Sequence, residues 1–172
     1  MDILISRERI QTRVAELGRE IAAALPTDEV VLVGPLKGCV VFCADLARAL
    51  HDAGVRVEMD FLELSSYGAG TTSSGVIEVK KHLSDPITGR HVLLVDDIID
   101  TGRTLAWARE HILSLSPASL RIAAFLDKPS RRVVEVPVDH VGFEIEDLFV
   151  LGYGADLAQR YRELPFIGVK TD

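Results

Sequence analysis

The residues best placed to do chemistry lie between positions 92 and 104, Val92-Leu93-Leu94-Val95-Asp96-Asp97-Ile98-Ile99-Asp100-Thr101-Gly102-Arg103-Thr104. Residues 92–95 are apolar on both faces, so Asp96 and Asp97 come where a buried strand leaves the core and reaches a ligand-binding edge. Asp100 follows, and Thr101-Gly102-Arg103-Thr104 then leads directly into a helical pattern. Backbone N–H groups and hydroxyls at such a helix start can hold a phosphate, with Gly102 allowing a close approach. Carboxylates beside a phosphate cradle make sense for a ligand with two ends. A sugar phosphate puts its phosphate on the amides, while the acids accept from ribose hydroxyls or face a hard divalent cation. The alternative is a plain acidic strand-end loop in which Asp97 or Asp100 caps the helix.

Several elements must position these groups. Ile10, Val14, Leu17, Ile21 and Leu25 fall at helical spacing, with Ser6 as N-cap, Ile5 and Ile10 as a hydrophobic staple and Pro26 as the stop. Val30-Val31-Leu32-Val33 reads as a strand, followed by Gly34-Pro35 and a helix carrying Phe42, Leu46 and Leu50. Val55 to Leu64 alternates as a strand with one partly wet face. Residues 65–75, rich in glycine and small polar side chains, read as a long loop before order resumes near Val76-Ile77-Glu78-Val79; such a loop is a lid or plain disorder. Further apolar runs follow: 91–95 with a helix carrying Leu105, Ala108, Ile112 and Leu115, then 121–126, then 140–143 paired with 147–151. Apolar strands alternating with amphipathic helices predict an α/β fold on a mostly parallel central sheet flanked by helices, with ligands at the carboxyl ends of the strands.

With 172 residues, 48% of them apolar, the expected organisation is one domain over 1–172. A net charge of -7, from 19 basic and 26 acidic side chains, argues against nucleic acid or anionic membranes as partners, so an anionic substrate needs a local site. The charged N-terminus has no signal-peptide core, and no apolar run is long enough to span a membrane, so a cytoplasmic location is expected. Cys39 and Cys43 read as two buried small hydrophobes rather than a metal or redox pair. The Gly-x-x-x-x-Gly-Lys-Ser/Thr pattern of P-loop nucleotidases is absent.

The string 92–104 resembles the phosphoribosyl-pyrophosphate signature of the type I phosphoribosyltransferases. Leu36-Lys37-Gly38 is similar to that family's pyrophosphate loop, and Ser66-Tyr67 resembles the start of its catalytic lid. Asp127-Lys128-Pro129, Val141-Gly142-Phe143-Glu144-Ile145, Phe149-Val150-Leu151-Gly152-Tyr153-Gly154-Ala155-Asp156 and Tyr161-Arg162-Glu163-Leu164 resemble the 6-oxopurine branch, the hypoxanthine-guanine phosphoribosyltransferases. The similarity runs in order from about residue 5 to residue 169. One departure is the acid pair Asp96-Asp97, where many relatives have Glu-Asp.

The resemblance implies transfer of 5-phosphoribosyl from 5-phospho-α-D-ribosyl 1-diphosphate (PRPP) to hypoxanthine or guanine, and a small hood built from the N- and C-terminal segments. By motif position it makes Asp100 the proton acceptor at purine N7, and gives Asp96 and Asp97 to the ribose hydroxyls and Mg²⁺. Thr101, Gly102, Arg103 and Thr104 would cradle the 5-phosphate, with Asp100 beside them in the PRPP-binding set. Lys37, Gly38 and Arg162 would bind pyrophosphate, Lys37 and Gly38 through a backbone that in this family often has a non-proline cis peptide. Lys128 would donate to O6, Phe149 would stack on the purine and the Val150 backbone would read its edge, while Asp156 would belong to the purine site, near C2, and help hold a second Mg²⁺. Ser66 and Tyr67 would close over the reacting sugar and exclude water. A homodimer or homotetramer is implied as well. Two alternatives stand beside it: a xanthine-preferring transferase, and an RNA-binding regulator on the same fold, against which the acidic charge speaks.

Overall fold

Val30, Val31, Leu32 and Val33 are apolar without alternation because both faces of their strand are covered. In the computed structural model, which describes residues 1–67 and 76–170, they form the centre of β2 (Glu29–Pro35). Before it come β1 (Asp2–Ile5) and α1 (Arg7–Ala24); after it come α2 (Val40–Asp52), β3 (Arg56–Tyr67), β4 (Val76–Lys81), β5 (His91–Ile99) and α3 (Arg103–Ser114). The chain continues through β6 (Ser119–Asp127), a 3-10 turn at Pro129–Arg131, β7 (His140–Glu144), β8 (Val150–Leu151) and β9 (Ile167–Val169).

Six strands form one sheet in the order β4-β3-β2-β5-β6-β7, parallel throughout except where β4 runs antiparallel to β3. Alternate residues of the buried strands feed two cores. Val30, Leu32, Leu93, Val95 and Phe125 pack under α1 and α2, against Leu17, Ile21, Phe42 and Leu46. Val31, Val33, Val92, Leu94 and Ile122 face α3 through Leu105, Ala108 and Ile112. Each buried Val, Leu, Ile or Phe among them stabilises the fold by roughly 1.5–3 kcal/mol relative to exposure, which gives the site above a rigid floor.

The first helix starts as its sequence predicts. The Ser6 hydroxyl accepts from the Arg9 N–H at 3.3 Å, Ile5 and Ile10 are both buried, and the helix stops at Leu25, ahead of Pro26. From the same helix Arg13 reaches β7, donating from Nε to the Gly142 carbonyl at 2.9 Å and from Nη2 to the Val141 carbonyl at 2.8 Å. The hood is the second sheet, β1-β9-β8, antiparallel at each pairing and drawn from both ends of the chain.

Three sequence expectations change. The third strand does not stop at Leu64: Ser65, Ser66 and Tyr67 continue β3, paired with Glu78, Ile77 and Val76, because pairing with β4 gives their polar stretch hydrogen-bonding partners. Residues 68–75, the rest of the expected lid, lie outside the described residues. The fifth strand runs on to Ile99, so Asp96 and Asp97 lie within it; pairing with β6 continues to Ile99↔Asp127 and holds it extended. Finally, 140–143 does not pair with 147–151. β7 joins the main sheet beside β6, where the Ile145 N–H donates to the Asp127 carbonyl, and β8 crosses to the hood.

Candidate active site

The strand order reverses between β2 and β5, since the chain leaves β2 toward β3 and leaves β5 toward β6. Ligand crevices in open α/β sheets form at such reversals. Pairing of β2 with β5 ends at Val33↔Leu94, while β5 continues beside β6. Beyond Leu94 the β5 strand therefore has a free edge, and Asp96 and Asp97 stand in the gap.

Across that gap lies Leu36-Lys37-Gly38, with a cis peptide between Leu36 and Lys37. Gly38 packs so tightly on the Asp97 carboxyl that a Cβ there would overlap Oδ2 and sit 2.8 Å from Cγ. The loop after β2 and the acid of β5 thus share one surface. Asp96 Oδ1 accepts from the Asp97 N–H and Asp97 Oδ1 from the Ile98 N–H, each at 3.0 Å, so both carboxyls are anchored by backbone.

Burial raises the Asp96 pKa well above the ordinary 3.8, and the neighbouring Asp97 charge pushes it the same way. Asp97 is raised too, chiefly by burial, with the Ile98 N–H and the Arg162 charge opposing. A raised carboxylate binds more protons in the native than in the unfolded state, so its contribution makes stability fall as pH rises from the unfolded value through the folded one. Asp96→Asn keeps the acceptor for the Asp97 N–H and removes one charge. Metal-free D96N should therefore melt higher than wild type near pH 7, by about 2–4 °C per kcal/mol recovered, and the gap should close as pH falls toward about 4. Thermal melts in chelator across that range check this; equal or lower melting at neutral pH refutes it.

At the end of β5 the chain turns through Asp100 and Thr101 into α3. Gly102 is the N-cap with φ +87°, a left-handed conformation, and a Cβ there would overlap the Val134 carbonyl. The Thr101 hydroxyl accepts from the Arg103 N–H at 3.4 Å, and the Arg103 and Thr104 side chains are exposed at the first turn. The first N–H groups of a helix lack intrahelical partners and attract anions. The Asp100 carboxylate is half-exposed and pairs with Arg131 Nε at 2.9 Å.

The end of β6 adds Lys128, whose N–H donates to the Ile99 carbonyl at 3.0 Å. Read singly it suggests a solvated lysine, yet it is 8% exposed, with Nζ 3.8 Å from Asp147 Oδ1. Phe149 is the converse: it sits in an apolar run but is 54% exposed, available as a flat face, while the Val150 side chain enters the core. The hood segment contributes Asp156 and Arg162, and Arg162 lies outside any helix. Asp156 Oδ2 accepts from the Gln159 N–H at 2.7 Å and Oδ1 pairs with Arg162 at 3.0 Å, so both oxygens are engaged. Arg162 also donates to the Gly154 carbonyl at 2.6 Å, and Gln159 Oε1 accepts from both Lys37, at 3.4 Å, and Arg162, at 3.2 Å. Backbone pairing places Ser66 and Tyr67 at the carboxyl end of β3, beyond Leu36, whose N–H donates to the Leu62 carbonyl.

Arg131, Arg132, Asp147 and Gln159 were not singled out in the sequence. The pair Arg131-Arg132 three residues after Lys128 was a weak signal, whereas nothing local marks Gln159. Cys39 and Cys43 are buried in the core, and the Cys39 thiol is pushed up by its hydrogen bond with Cys43 and by burial, as fits two packing residues. Among the described residues no three His, Cys, Asp or Glu side chains converge as a protein-only metal cage. Asp96 and Asp97 suit instead a hard cation that takes one or two carboxylates and fills its shell from water and substrate oxygens, as magnesium does.

Comparison with known proteins bears on this arrangement. Residues 4–157 match the phosphoribosyl transferase domain model. A hypoxanthine phosphoribosyltransferase of Haemophilus influenzae is 48% identical over 171 residues, covering 98% of this chain and 94% of that protein. A hypoxanthine-guanine phosphoribosyltransferase of Bacillus subtilis is 44% identical, covering 97% and 91%. The solved structure of a hypoxanthine-guanine phosphoribosyltransferase from Bacillus anthracis superposes with a TM-score of 0.93 at 41% identity, over 99% of both chains.

Proposed function

The chain belongs to the phosphoribosyltransferase family, on its hypoxanthine-guanine branch, and from that premise we propose how its residues divide the work of transfer. It is a purine salvage enzyme that moves 5-phosphoribosyl from PRPP to hypoxanthine, guanine or both, releasing pyrophosphate. The observation that supports this division of labour is the contact between Gly38 and the Asp97 carboxyl, which brings the loop after β2 against an acid of β5.

The 5-phosphate sits on the first turn of α3, at Thr101, Gly102, Arg103 and Thr104, where the first-turn N–H groups and the helix dipole favour negative charge. Asp96 and Asp97 accept from the ribose hydroxyls. Pyrophosphate lies against Lys37, Gly38 and Arg162, replacing Gln159 Oε1 as the acceptor of both cationic side chains. Lys128 donates to O6 of the base, Phe149 stacks on its ring and the Val150 backbone reads its edge. In the reaction purine N9 forms the bond to ribose C1, the C1–O bond breaks with its electron pair leaving on pyrophosphate, and the N7 proton passes to the Asp100 carboxylate. Lys37 and Arg162 stabilise the leaving group's charge, which grows as the bond breaks.

Magnesium, held by Asp96 and Asp97, would supply further neutralisation of that charge when bound. Asp156 would have to release Arg162 or the Gln159 N–H to hold a second ion. Ser66 and Tyr67, carried on β3, are retained as the entry to a water-excluding cover, on the resemblance of their motif. A homodimer or homotetramer is the assembly that goes with the family, and light scattering distinguishes them. Among the described residues no helix is long and apolar enough to cross a membrane. Cytoplasmic placement fits a polyanionic donor that does not cross a bilayer unaided.

The test of the function is direct. Incubated with magnesium and PRPP, the protein should form nucleotide from hypoxanthine, guanine or both, with adenine and uracil as negative arms and xanthine as a specificity arm. No product from any 6-oxopurine overturns the assignment.

A further inference from the structure

The carboxylate assigned to proton transfer stands on a turn that another loop wraps. The Asp100 carbonyl accepts from Arg132 Nε at 3.3 Å, and Arg132 is held in turn by its pairing with the Asp127 carboxylate. The Thr101 carbonyl accepts from the Val133 and Val134 N–H groups at 2.9 and 3.0 Å. The 3-10 turn at Pro129–Arg131 opens with the Arg131 N–H donating to the Lys128 carbonyl. Arg131 leaves that turn toward Asp100, and its Nε reaches Oδ1 at 2.9 Å.

Backbone and carboxylate of Asp100 are therefore gripped by consecutive arginines with different partners. Arg132 is largely buried and fastens main chain, which is a folding role. Arg131 is half-exposed, and its guanidinium pairs with Asp100 and, at 3.8 Å, with Asp147. Asp147 is equally near Lys128 Nζ. An exposed ion pair of this kind adds about 0–1 kcal/mol to stability, so stability does not account for it. Its geometric effect is specific. Residues 128–131 carry both Lys128 and Arg131, so one turn sets the spacing between the ammonium directed at O6 and the carboxylate directed at N7, which lie on the same edge of the purine.

We propose that Arg131 is a positioning residue for the reaction, fixing the rotamer of the Asp100 carboxylate relative to Lys128. This rests on the assignment of Asp100 as proton acceptor. Arg131 acts through Asp100, and when the N7 proton arrives and Asp100 becomes neutral, the guanidinium keeps a counter-charge in Asp147.

The test is a double-mutant cycle with the full-length protein, PRPP and hypoxanthine. Arg131→Met should lower kcat ~10-fold, in line with the cost of misplacing a catalytic group, with the KM for PRPP within about twofold and the melting temperature nearly unchanged. Arg131→Lys should restore part of the loss. In an Asp100→Asn background the same Arg131→Met change should cost much less than in wild type, because the carboxylate it positions is gone. An Arg131→Met effect of equal size in both backgrounds, or no effect on kcat in the wild-type background, overturns the proposal. Wild-type turnover by Asp100→Asn alone would instead overturn the assignment of the base.

Discussion

Asp100→Asn should bind PRPP as wild type does and turn over about 10²–10⁴-fold more slowly, the usual cost of removing a positioned general base. The amide keeps an oxygen where Arg131 Nε donates, and the Arg132 contact to the Asp100 carbonyl involves no side-chain atom of Asp100. Turn and cradle should therefore survive. What is lost is the basic oxygen for the N7 proton, a need that arises only as N9 attacks. Calorimetric titration with the magnesium-bound donor, read beside steady-state kcat, separates the two effects; a donor affinity that collapses with kcat would mean Asp100 binds rather than catalyses.

The second large effect is expected from a methyl group. Gly38→Ala puts a Cβ into the Asp97 carboxyl, which is anchored by the Ile98 N–H and has little freedom to retreat. Either the loop carrying Lys37 must lift or Asp97 must turn from the ribose side, and both damage the same ligand. We expect kcat/KM for PRPP to fall roughly 10²-fold, the scale of an ångström-sized misplacement. Thermal stability should change less, since the crevice floor is formed by the buried strand residues below it. Steady-state kinetics with PRPP as the varied substrate measures this, and a kcat/KM within threefold of wild type would show that the contact can be relaxed without consequence.

Much of this architecture was legible in the sequence because it rests on short-range rules. Val30–Val33 and Val92–Val95 could only be strands covered on both faces, and Ser6, Ile5, Ile10 and Pro26 specified the bounds of α1. The string from Asp96 to Thr104 marked the crevice because acids and a hydroxyl-glycine turn are rarely useful together except on a two-ended ligand. What was misread depends on distant pairing. Ser65 to Tyr67 have loop composition, and only β4 makes them strand; Asp96 and Asp97 look like a strand's end until β6 is seen to run beside them. Taken singly, without the resemblance, Lys128 reads as a solvated lysine and Phe149 as a core residue, because burial is decided by neighbours that no local pattern names. Arg131 and Gln159 were missed for the same reason: each acquires meaning only across a gap of 31 or 122 residues, to Asp100 and Lys37 respectively.

Arg13 has a consequence for how copies of this chain can meet. The outermost strand of a sheet offers unpaired backbone groups that another molecule's strand can extend, the usual start of edge-to-edge aggregation. At β7 two consecutive carbonyls, of Val141 and Gly142, are already taken by one guanidinium, itself held by Glu16 and Glu20. A strand approaching there would have to displace a buttressed charge to gain its hydrogen bonds. Arg13 thus makes this stretch of β7 a poor template for extending the main sheet into a neighbour.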